Sequence, residues 1–266
     1  TSIAAGRSNW AQGFSEPDAG SDLSALRTAA VRDGDFYVVN GQKIWTSYAH
    51  AARHSVLLVR TWKTDNPRRG ISVLLVPMDL EGIEVREIAS LNFPHLVHEV
   101  FFRDVQVPVS YRLGGENEGW NVIRTLLANE RVGNARHEWV DRCLDRVFDE
   151  AVAADVDIDD EAFWETMGEA SAATLASRVL NYVAVQSAVE ESDEYPDLAA
   201  IYRVALAQME MGAAHAFLDV LGIDGLLDTS CADYQLFSGI LSTIGGGSIE
   251  MSLNGIAWYQ LGLPKG

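Results

Sequence analysis

The spacing of apolar residues changes character near residue 112, and this change constrains the fold more than any other feature of the sequence. Up to Pro108, short runs of β-branched and aromatic residues alternate with turn residues. Beyond Pro108, apolar residues recur three and four positions apart over long stretches, as they do on one face of an α-helix. A strand-rich domain followed by a helical domain is therefore predicted.

The first domain is predicted to be a small β-barrel or sandwich. Asn40-Gly41 separates the β-prone runs Phe36–Val39 and Gln42–Trp45, which predicts a hairpin because both turn positions favour positive φ. Further strands are predicted over 55–60, 71–76, 83–88 and 100–105, with turns that include Asn92-Phe93-Pro94. Regular spacing of short strands is typical of these folds.

The second domain is predicted to be an antiparallel helical bundle. Helices are expected over 118–154, 160–191, 197–221, 231–243 and 248–261. The linker Val156–Asp160 places acidic residues at the start of the second helix, where the helix macrodipole favours them. The predicted fold class is α+β multidomain, with a β-barrel domain over 1–111 and a helical bundle over 112–266.

The charge of the chain excludes several classes of partner. It carries 20 basic and 38 acidic side chains, a formal net charge of -18, so binding to nucleic acid or to anionic lipid is not expected. No leader and no long apolar run is seen, which predicts a soluble, cytoplasmic protein. Cys143 and Cys231 are expected to be free thiols of a reducing compartment. The six histidines show no metal-ligand spacing, so no metal site is predicted.

Three segments have residues suited to a ligand with a planar ring and phosphates. The loop Gln12–Asp22 is rich in Gly, Ser and Asp, but a capped tight turn has the same composition. Lys43–Ser47 offers a tryptophan face for stacking and two hydroxyls for a polar rim, although a core aromatic in a strand is equally typical. Thr243–Glu250 contains three glycines whose backbone amides suit a pyrophosphate or an oxyanion, or else form a flexible connection between helices.

Taken together and in order, these strings resemble the acyl-CoA dehydrogenase family. The matching strings are FSEPDAGSD, NGQKIWTS, EVFFRDVQVP, LLANERVG and GGGSIEMSLNGIAWYQLGLPKG. The resemblance is strong over residues 10–135 and 240–266 and weaker between them. It implies a three-domain plan of helical domain, β-barrel and helical bundle, in which the first domain is missing here, so we expect a fragment or a truncated gene product.

The resemblance implies a chemistry and a set of site residues. Family members bind FAD, remove two hydrogens across the α,β carbons of an acyl-CoA thioester and pass electrons to an electron-transferring flavoprotein. The implied FAD contacts are Gln12, Phe14, Ser15, Trp45, Thr46, Ser47, Gly246, Gly247 and Ser248. The implied substrate contacts are Ser21 and Arg131, with the amide of Gly246 holding the thioester oxygen, since an α-proton becomes acidic only when preorganised donors meet the enolate charge.

The catalytic base implied by the resemblance is Glu130. Many members carry this Glu in an E-G-T string before the last helix, where this chain has Gly246-Gly247-Ser248. A subgroup that resembles isovaleryl- and long-chain acyl-CoA dehydrogenases carries it in an earlier E-R pair, here Glu130-Arg131. The family pattern therefore selects Glu130 as the residue that abstracts the α-proton.

Helical spacing supports the same residue. The positions that share a helix face with Glu130 are Ile123, Leu126, Leu127 and Asn134. No basic residue lies three or four positions from Glu130, and Arg131 faces elsewhere. A carboxyl group on such an apolar stripe is expected to have a raised pKa, which suits a general base. A distant arginine or a helix end that satisfies the carboxylate is the alternative.

Departures from the family pattern leave two other functions open. The Arg-x-x-Phe-Gly string that reaches the FAD of a neighbouring subunit has no clear counterpart around Glu161–Trp164 or Glu169. Some bacterial members that lack it are paired subunits acting on bulky acyl chains, including steroid side chains. The alternatives are a non-catalytic or half-site subunit of a heteromeric enzyme, and a flavin oxidase or monooxygenase. A homo- or hetero-oligomer such as a dimer of dimers is expected.

Overall fold

The structure is a computed structural model that describes residues 2–91, 94–133, 135–227 and 230–264. The chain divides into two compact units, Thr1–Leu126 and Leu127–Gly266, so their boundary falls inside a helix. The domain limits expected at residues 111 and 112 remain a prediction. Asn134, predicted to share the face of Glu130, and Asn92 and Phe93 of a predicted turn lie outside the described residues.

The first unit contains one mixed sheet of eight strands among its described residues. The strands are β1 (Trp10–Gly13), β2 (Ala29–Asp33), β3 (Phe36–Ser47), β4 (His54–Arg60), β5 (Ile71–Pro77), β6 (Ile83–Glu87), β7 (Val97–Pro108) and β8 (Arg112–Leu113). The strand order is β6-β7-β3-β2-β4-β5-β8, and β1 pairs with β4 in parallel. Short 3₁₀ segments occur at Leu23–Ala25, Ala49–Ala51 and Val109–Tyr111.

The predicted strands over 55–60, 71–76, 83–88 and 100–105 are confirmed as β4, β5, β6 and the centre of β7. β4 and β5 pair antiparallel over their full lengths, from His54 opposite Pro77 to Arg60 opposite Ile71. Their inward residues join a core with residues of β3 and β7; its members include Tyr37, Val39, Leu57, Leu74, Phe102 and Val105. Burial of this apolar area, worth roughly 25 cal/mol per Å², holds the unit together. The strand pairs of the described residues follow an open path, so closure into a barrel stays a prediction.

The hairpin predicted at Asn40-Gly41 is wrong. β3 runs straight through this dipeptide, and β7 pairs with β3 on both sides of a register shift between Val39 and Gly41. The hairpin that does form joins β2 to β3, where Asp33 faces Phe36 across a two-residue turn.

Asn40-Gly41 forms a bulge for two physical reasons. A Cβ on Gly41 would lie 2.7 Å from the Thr28 Cα, so glycine permits close approach of β2 to β3. Asn40 exchanges two hydrogen bonds with Asp104 on β7: its Oδ1 accepts from the Asp104 amide at 2.9 Å and its Nδ2 donates to the carboxylate at 3.0 Å. Asn40-Gly41 therefore supports strand pairing at a bulge within the sheet and does not form a turn.

Six α-helices follow the sheet in the described residues. They are α1 (Gly119–Gly133), α2 (His137–Ala153), α3 (Glu161–Val189), α4 (Tyr195–Leu221), α5 (Cys231–Ile244) and α6 (Ile249–Gly255). A 3₁₀ segment spans Gly222–Leu226, and a π-helical segment, Ile256–Gln260, continues α6. The helix predicted over 118–154 is thus two helices, while the other predicted helices are confirmed with small shifts at their ends.

The second unit packs its helices around α4. Tyr202, Leu206 and Phe217 on α4 are buried together with residues of α2, α3 and α5. Asp160 caps α3, because its carboxylate accepts a hydrogen bond from the Ala162 amide at 3.2 Å, which confirms the acidic helix start. A sheet unit followed by a helical unit confirms the predicted α+β multidomain class.

Candidate active site

The two candidate ligand segments of the first unit lie side by side. The Ile44 amide donates a hydrogen bond to the Ser15 carbonyl at 3.0 Å. The Lys43 ammonium donates to the Phe14 carbonyl at 2.9 Å. The loop after β1 and the end of β3, separated by about thirty residues of sequence, therefore form one surface that carries the predicted residues Phe14, Ser15, Trp45, Thr46 and Ser47.

A buried ion pair holds this surface together. Lys43 Nζ lies 2.8 Å from Glu16 Oε1, and the two residues are 0% and 8% exposed. Glu16 also accepts hydrogen bonds from the amides of Arg27 at 2.6 Å and Thr28 at 2.9 Å. Burial lowers the pKa of Lys43 to about 8, although the Glu16 charge opposes this shift. Burial also acts to raise the pKa of Glu16, but Lys43 and the hydrogen bonds outweigh it, so the net shift is downward.

Trp45 presents a flat aromatic face to the outside of this surface. It has φ 59° and is 59% exposed, and the pairing of β3 with β7 shifts register between Lys43 and Thr46. Thr46 is buried, and its Oγ1 has no hydrogen-bond partner in the described part of the chain. A buried hydroxyl without a partner is costly, so Thr46 is suited to a ligand that supplies the missing hydrogen bond.

The other predicted contacts of the first unit are open to solvent. Ser47 follows Thr46 at the exposed end of β3. Gln12 is exposed on β1, and Ser21 is exposed in the loop that follows β1. These three side chains can reach a ligand on the surface of the unit, whereas Phe14 is buried and takes part through its backbone.

In the second unit, a buried arginine fixes the glycine-rich loop. Arg203 on α4 is 5% exposed, and its Nη2 donates to the carbonyls of Ser242, of Gly245 at 2.6 Å and of Gly247 at 3.1 Å. Gly246 and Gly247 have φ values of 71° and 96°, which favour glycine. A Cβ on Gly247 would lie 3.7 Å from Arg131 Nη2, so the predicted residues Gly246, Gly247 and Arg131 are brought together.

Glu130 lies one residue from Arg131 on a helix turn held from both sides. The Tyr195 hydroxyl donates to the Ala128 carbonyl at 2.7 Å. Asn181 Nδ2 donates to the Val132 carbonyl at 2.9 Å. The Val132 carbonyl is among the last four of the helix, which lack partners inside it, so the Asn181 bond satisfies it and both bonds hold the backbone that carries Glu130.

The surroundings expected for Glu130 need two corrections. Its side chain is exposed on the described chain rather than enclosed by an apolar stripe. It also interacts electrostatically with Arg131 and Arg203, whereas helical spacing predicted no cationic neighbour. Arg203 belongs to α4, so helical spacing within α1 cannot report on it, and Arg131 is the next residue along α1.

Sequence reasoning missed three residues of this region: Asn181, Tyr195 and Arg203. Of the three, Arg203 has a signal that sequence reasoning could use. It is a charged residue among the buried positions of α4, which also include Tyr202 and Leu206. Burial lowers the pKa of Arg203, and the nearby Glu210 carboxylate opposes that shift. Arg203 Nη1 and Arg131 Nε are buried without a hydrogen-bond partner among the described residues.

A separate cavity of about 1090 Å³ lies in the first unit, and it contains histidines rather than predicted site residues. His50 Nδ1 and His98 Nε2 are 3.0 Å apart, and His95 Nδ1 lies 2.8 Å from Glu87 Oε2. Burial lowers the pKa of His98. No group of three or more metal-ligating side chains is arranged around an ion within the described ranges.

The two units match two family models. Residues 11–105 match the acyl-CoA dehydrogenase middle domain, and residues 117–259 match the acyl-CoA dehydrogenase C-terminal domain. The second match alone covers more than half of the chain. The chain belongs to the acyl-CoA dehydrogenase family, a family of oxidoreductases, which confirms the resemblance seen in the sequence.

Known proteins show the same relationship. Acyl-CoA dehydrogenase FadE34 of Mycobacterium tuberculosis is 35% identical over 264 residues, covering 96% of this chain but 35% of its own length. The solved steroid ACAD Tcur3481-Tcur3483 is 29% identical with a TM-score of 0.91, covering 100% of this chain and 71% of its own. The ChsE4-ChsE5 complex from Mycobacterium tuberculosis is 32% identical with a TM-score of 0.87 and the same coverages. This chain therefore spans about a third of that first relative.

In residues 2–91, 94–133, 135–227 and 230–264, no helix is both long enough and apolar enough to span a membrane.

Proposed function

We propose that this chain takes part in FAD-dependent α,β-dehydrogenation of an acyl-CoA thioester, with Glu130 as the base that abstracts the α-proton. The proposal rests on a cluster of charged side chains beside the glycine-rich loop in the second unit. There Glu130 and Arg131 share a helix turn, and Arg203 interacts electrostatically with Glu130 and donates hydrogen bonds to the Gly245 and Gly247 carbonyls. A candidate base and a candidate oxyanion donor thus belong to one region.

The residues of the first unit fit a flavin. Among the described residues the Thr46 hydroxyl has no hydrogen-bond partner, and Trp45 offers an exposed ring, which matches the needs of a planar group with polar edges. We propose that FAD is held by the predicted contacts Gln12, Phe14, Ser15, Trp45, Thr46, Ser47, Gly246, Gly247 and Ser248. When bound, FAD supplies a hydride acceptor for the β-hydrogen.

The residues of the chain perform the remaining steps. The Glu130 carboxylate takes the α-proton of the thioester. The backbone amide of Gly246 donates a hydrogen bond to the thioester oxygen, where negative charge develops. Arg131 and Arg203 attract the Glu130 carboxylate, and Arg203 also fixes the loop that carries the amide. Ser21 is proposed to contact the CoA moiety.

The test is the Glu130→Gln variant, assayed with FAD and an acyl-CoA panel that includes straight-chain and steroid thioesters. Loss of a general base is expected to reduce turnover by about 10²–10⁴-fold while the flavin content stays unchanged. Glu165→Gln, an exposed change on α3, is the matched control and should keep full turnover. Undiminished turnover in the Glu130 variant would remove the assignment.

The same assay identifies the substrate class and the electron acceptor. The steroid ACAD named above motivates the steroid thioesters, because the whole of this chain aligns with 71% of that chain. Turnover that depends on an electron-transferring flavoprotein supports a dehydrogenase. Rapid reoxidation by air of the substrate-reduced protein favours the flavin oxidase or monooxygenase alternative.

A second candidate is a half-site subunit of a heteromeric enzyme. The observation that favours it is the similarity to ChsE4-ChsE5, which is a complex of two named components. In that case the purified chain alone is expected to hold little flavin, and a related acyl-CoA dehydrogenase chain would complete the site. Absence of yellow chromophore in the chain alone, restored on mixing with such a partner, would support this candidate over the first.

A further inference from the structure

Two cysteines that are 88 positions apart in sequence touch in the interior of the second unit. Cys143 lies in the middle of α2, and Cys231 is the first residue of α5. Their sulfur atoms are 3.0 Å apart, and the residues are 1% and 2% exposed. A disulfide needs a sulfur–sulfur distance of about 2.05 Å, so the sulfurs must approach by only about 1 Å.

We infer that Cys143 and Cys231 form a redox-active dithiol, a modification site at which a peroxide produces an intramolecular disulfide that joins α2 to α5. The inference is independent of the proposed dehydrogenation, because neither cysteine belongs to the candidate active site. It follows from tertiary contact alone, since nothing in the spacing of the two cysteines indicates a pair.

The environment makes the two thiols unequal. The two sulfurs share a hydrogen bond, and this bond lowers the pKa of Cys231, assisted by Arg146 and opposed by burial and by Glu150. The same bond, with burial, raises the pKa of Cys143. Cys231 is therefore the sulfur that ionises first and acts as the nucleophile.

The chemistry balances with one equivalent of hydrogen peroxide. The Cys231 thiolate attacks one peroxide oxygen, an S–O bond forms, the O–O bond breaks and hydroxide leaves, giving a sulfenic acid. The Cys143 sulfur then attacks the Cys231 sulfur, the S–S bond forms and the S–O bond breaks. The proton of Cys143 passes to the departing oxygen, so two thiols and one peroxide yield one disulfide and two waters.

Cys231 is buried, so the inference requires local opening at the start of α5 for the oxidant to reach it. Ser230 caps this helix, and its hydroxyl donates to the Glu150 carboxylate at 2.8 Å, while the Cys231 amide donates to the same carboxylate at 3.2 Å. Helix ends open more readily than helix centres. Opening of this one turn exposes Cys231, whereas Cys143 stays enclosed beside it.

The experiment treats the folded, reduced chain with hydrogen peroxide and counts thiols by alkylation and mass spectrometry. We expect both thiols to disappear together, a mass loss of two hydrogens, and a peptide that links Cys143 to Cys231 in a non-reducing digest. The oxidised chain is expected to unfold at a temperature roughly 5–10 °C higher, because the bond closes a long loop of the unfolded chain. Dithiothreitol should reverse both changes.

Cys143→Ala and Cys231→Ala are the controls. Each should fold, as shown by circular dichroism, and neither should gain thermal stability with peroxide. In the Cys143→Ala variant, a trapping reagent for sulfenic acid should label Cys231. The inference is overturned if both wild-type thiols persist in the folded chain, if they oxidise only in urea, or if the cross-link forms between two chains.

Discussion

Lys43 places an ammonium group in the interior of the first unit, and one carboxylate offsets its charge. The residue is fully buried and its pKa is about 8. Removing one partner of a buried pair leaves the other charge without solvent and without a counter-ion, which costs about 3–5 kcal/mol. The pair therefore determines whether the loop Phe14–Glu16 stays against the strand that carries Trp45.

Lys43→Met is expected to lower the free energy of unfolding by about 3–5 kcal/mol at pH 7. The loss should shrink as the pH falls towards 4. In the wild type the pKa of Glu16 is lowered, so its contribution to stability is lost as the pH falls below the unfolded value of 4.5. In the variant, Glu16 is buried without its counter-ion, so its protonation stabilises the folded chain. The free energies of unfolding of the variant and the wild type therefore converge in acid.

Urea denaturation at pH 7 and pH 4.5 measures this difference. Lys63→Met is the matched control, because Lys63 is exposed and its loss should change stability by about 0.5 kcal/mol or less. Adding Glu16→Gln to Lys43→Met should recover part of the loss at pH 7. Equal stability of Lys43→Met and wild type at pH 7 would show that the pair does not hold the loop.

At this scale the sequence proposes site residues but not the residues that support them. Trp45, Thr46 and Gly246 are proposed because their strings resemble a family, yet the strings give no hint that Lys43 reaches Glu16 or that Arg203 reaches Gly245. Those contacts join segments far apart in the chain. Their geometry depends on packing, which neither residue spacing nor a motif contains.

Among the elements, β3 shows how a strong local pattern is overruled. Asn-Gly favours a two-residue turn by backbone preference. In this unit the pairing of β3 with β7 on both sides of the dipeptide outweighs that preference, because each added strand residue contributes hydrogen bonds and buried area. The strands β4 and β5 and the long helices were predictable since their apolar patterns extend over whole elements.

Gly41→Ala tests the explanation given for the bulge. The new Cβ would lie 2.5–2.8 Å from Thr28 atoms that include the backbone Cα, so we expect a loss of about 2–3 kcal/mol of unfolding free energy. Gly20→Ala is the control, since nothing lies within 4 Å of its Cβ position. Thermal or urea unfolding compares the two variants; a similar small effect of both would contradict close approach as the role of Gly41.

At the scale of the whole molecule, α3 has apolar residues on two faces. One face is buried within the second unit and includes Phe163, Met167 and Ala184. Another face is exposed, and its apolar members include Leu175, Val179, Tyr182 and Val189. A contiguous exposed apolar patch commonly marks an interaction site. We therefore propose that the exposed face is covered in an oligomer by a second chain of the same family.

The double variant Val179→Glu, Tyr182→Glu is expected to convert the oligomer into single chains. Burying an unpaired carboxylate at the interface is unfavourable by more free energy than the apolar contact contributes. Size-exclusion chromatography with light scattering measures the mass, with and without a related partner chain. Val152→Glu is a closely matched control: Val152 on α2 is 51% exposed and Val179 is 52% exposed. This control distinguishes the effect of a charge on this face of α3 from the general effect of added negative charge. The distinction matters because the net charge of the chain is already -18. An oligomer that survives the double change, or a wild type that is a single chain under all conditions, would show that this face of α3 is not the interface.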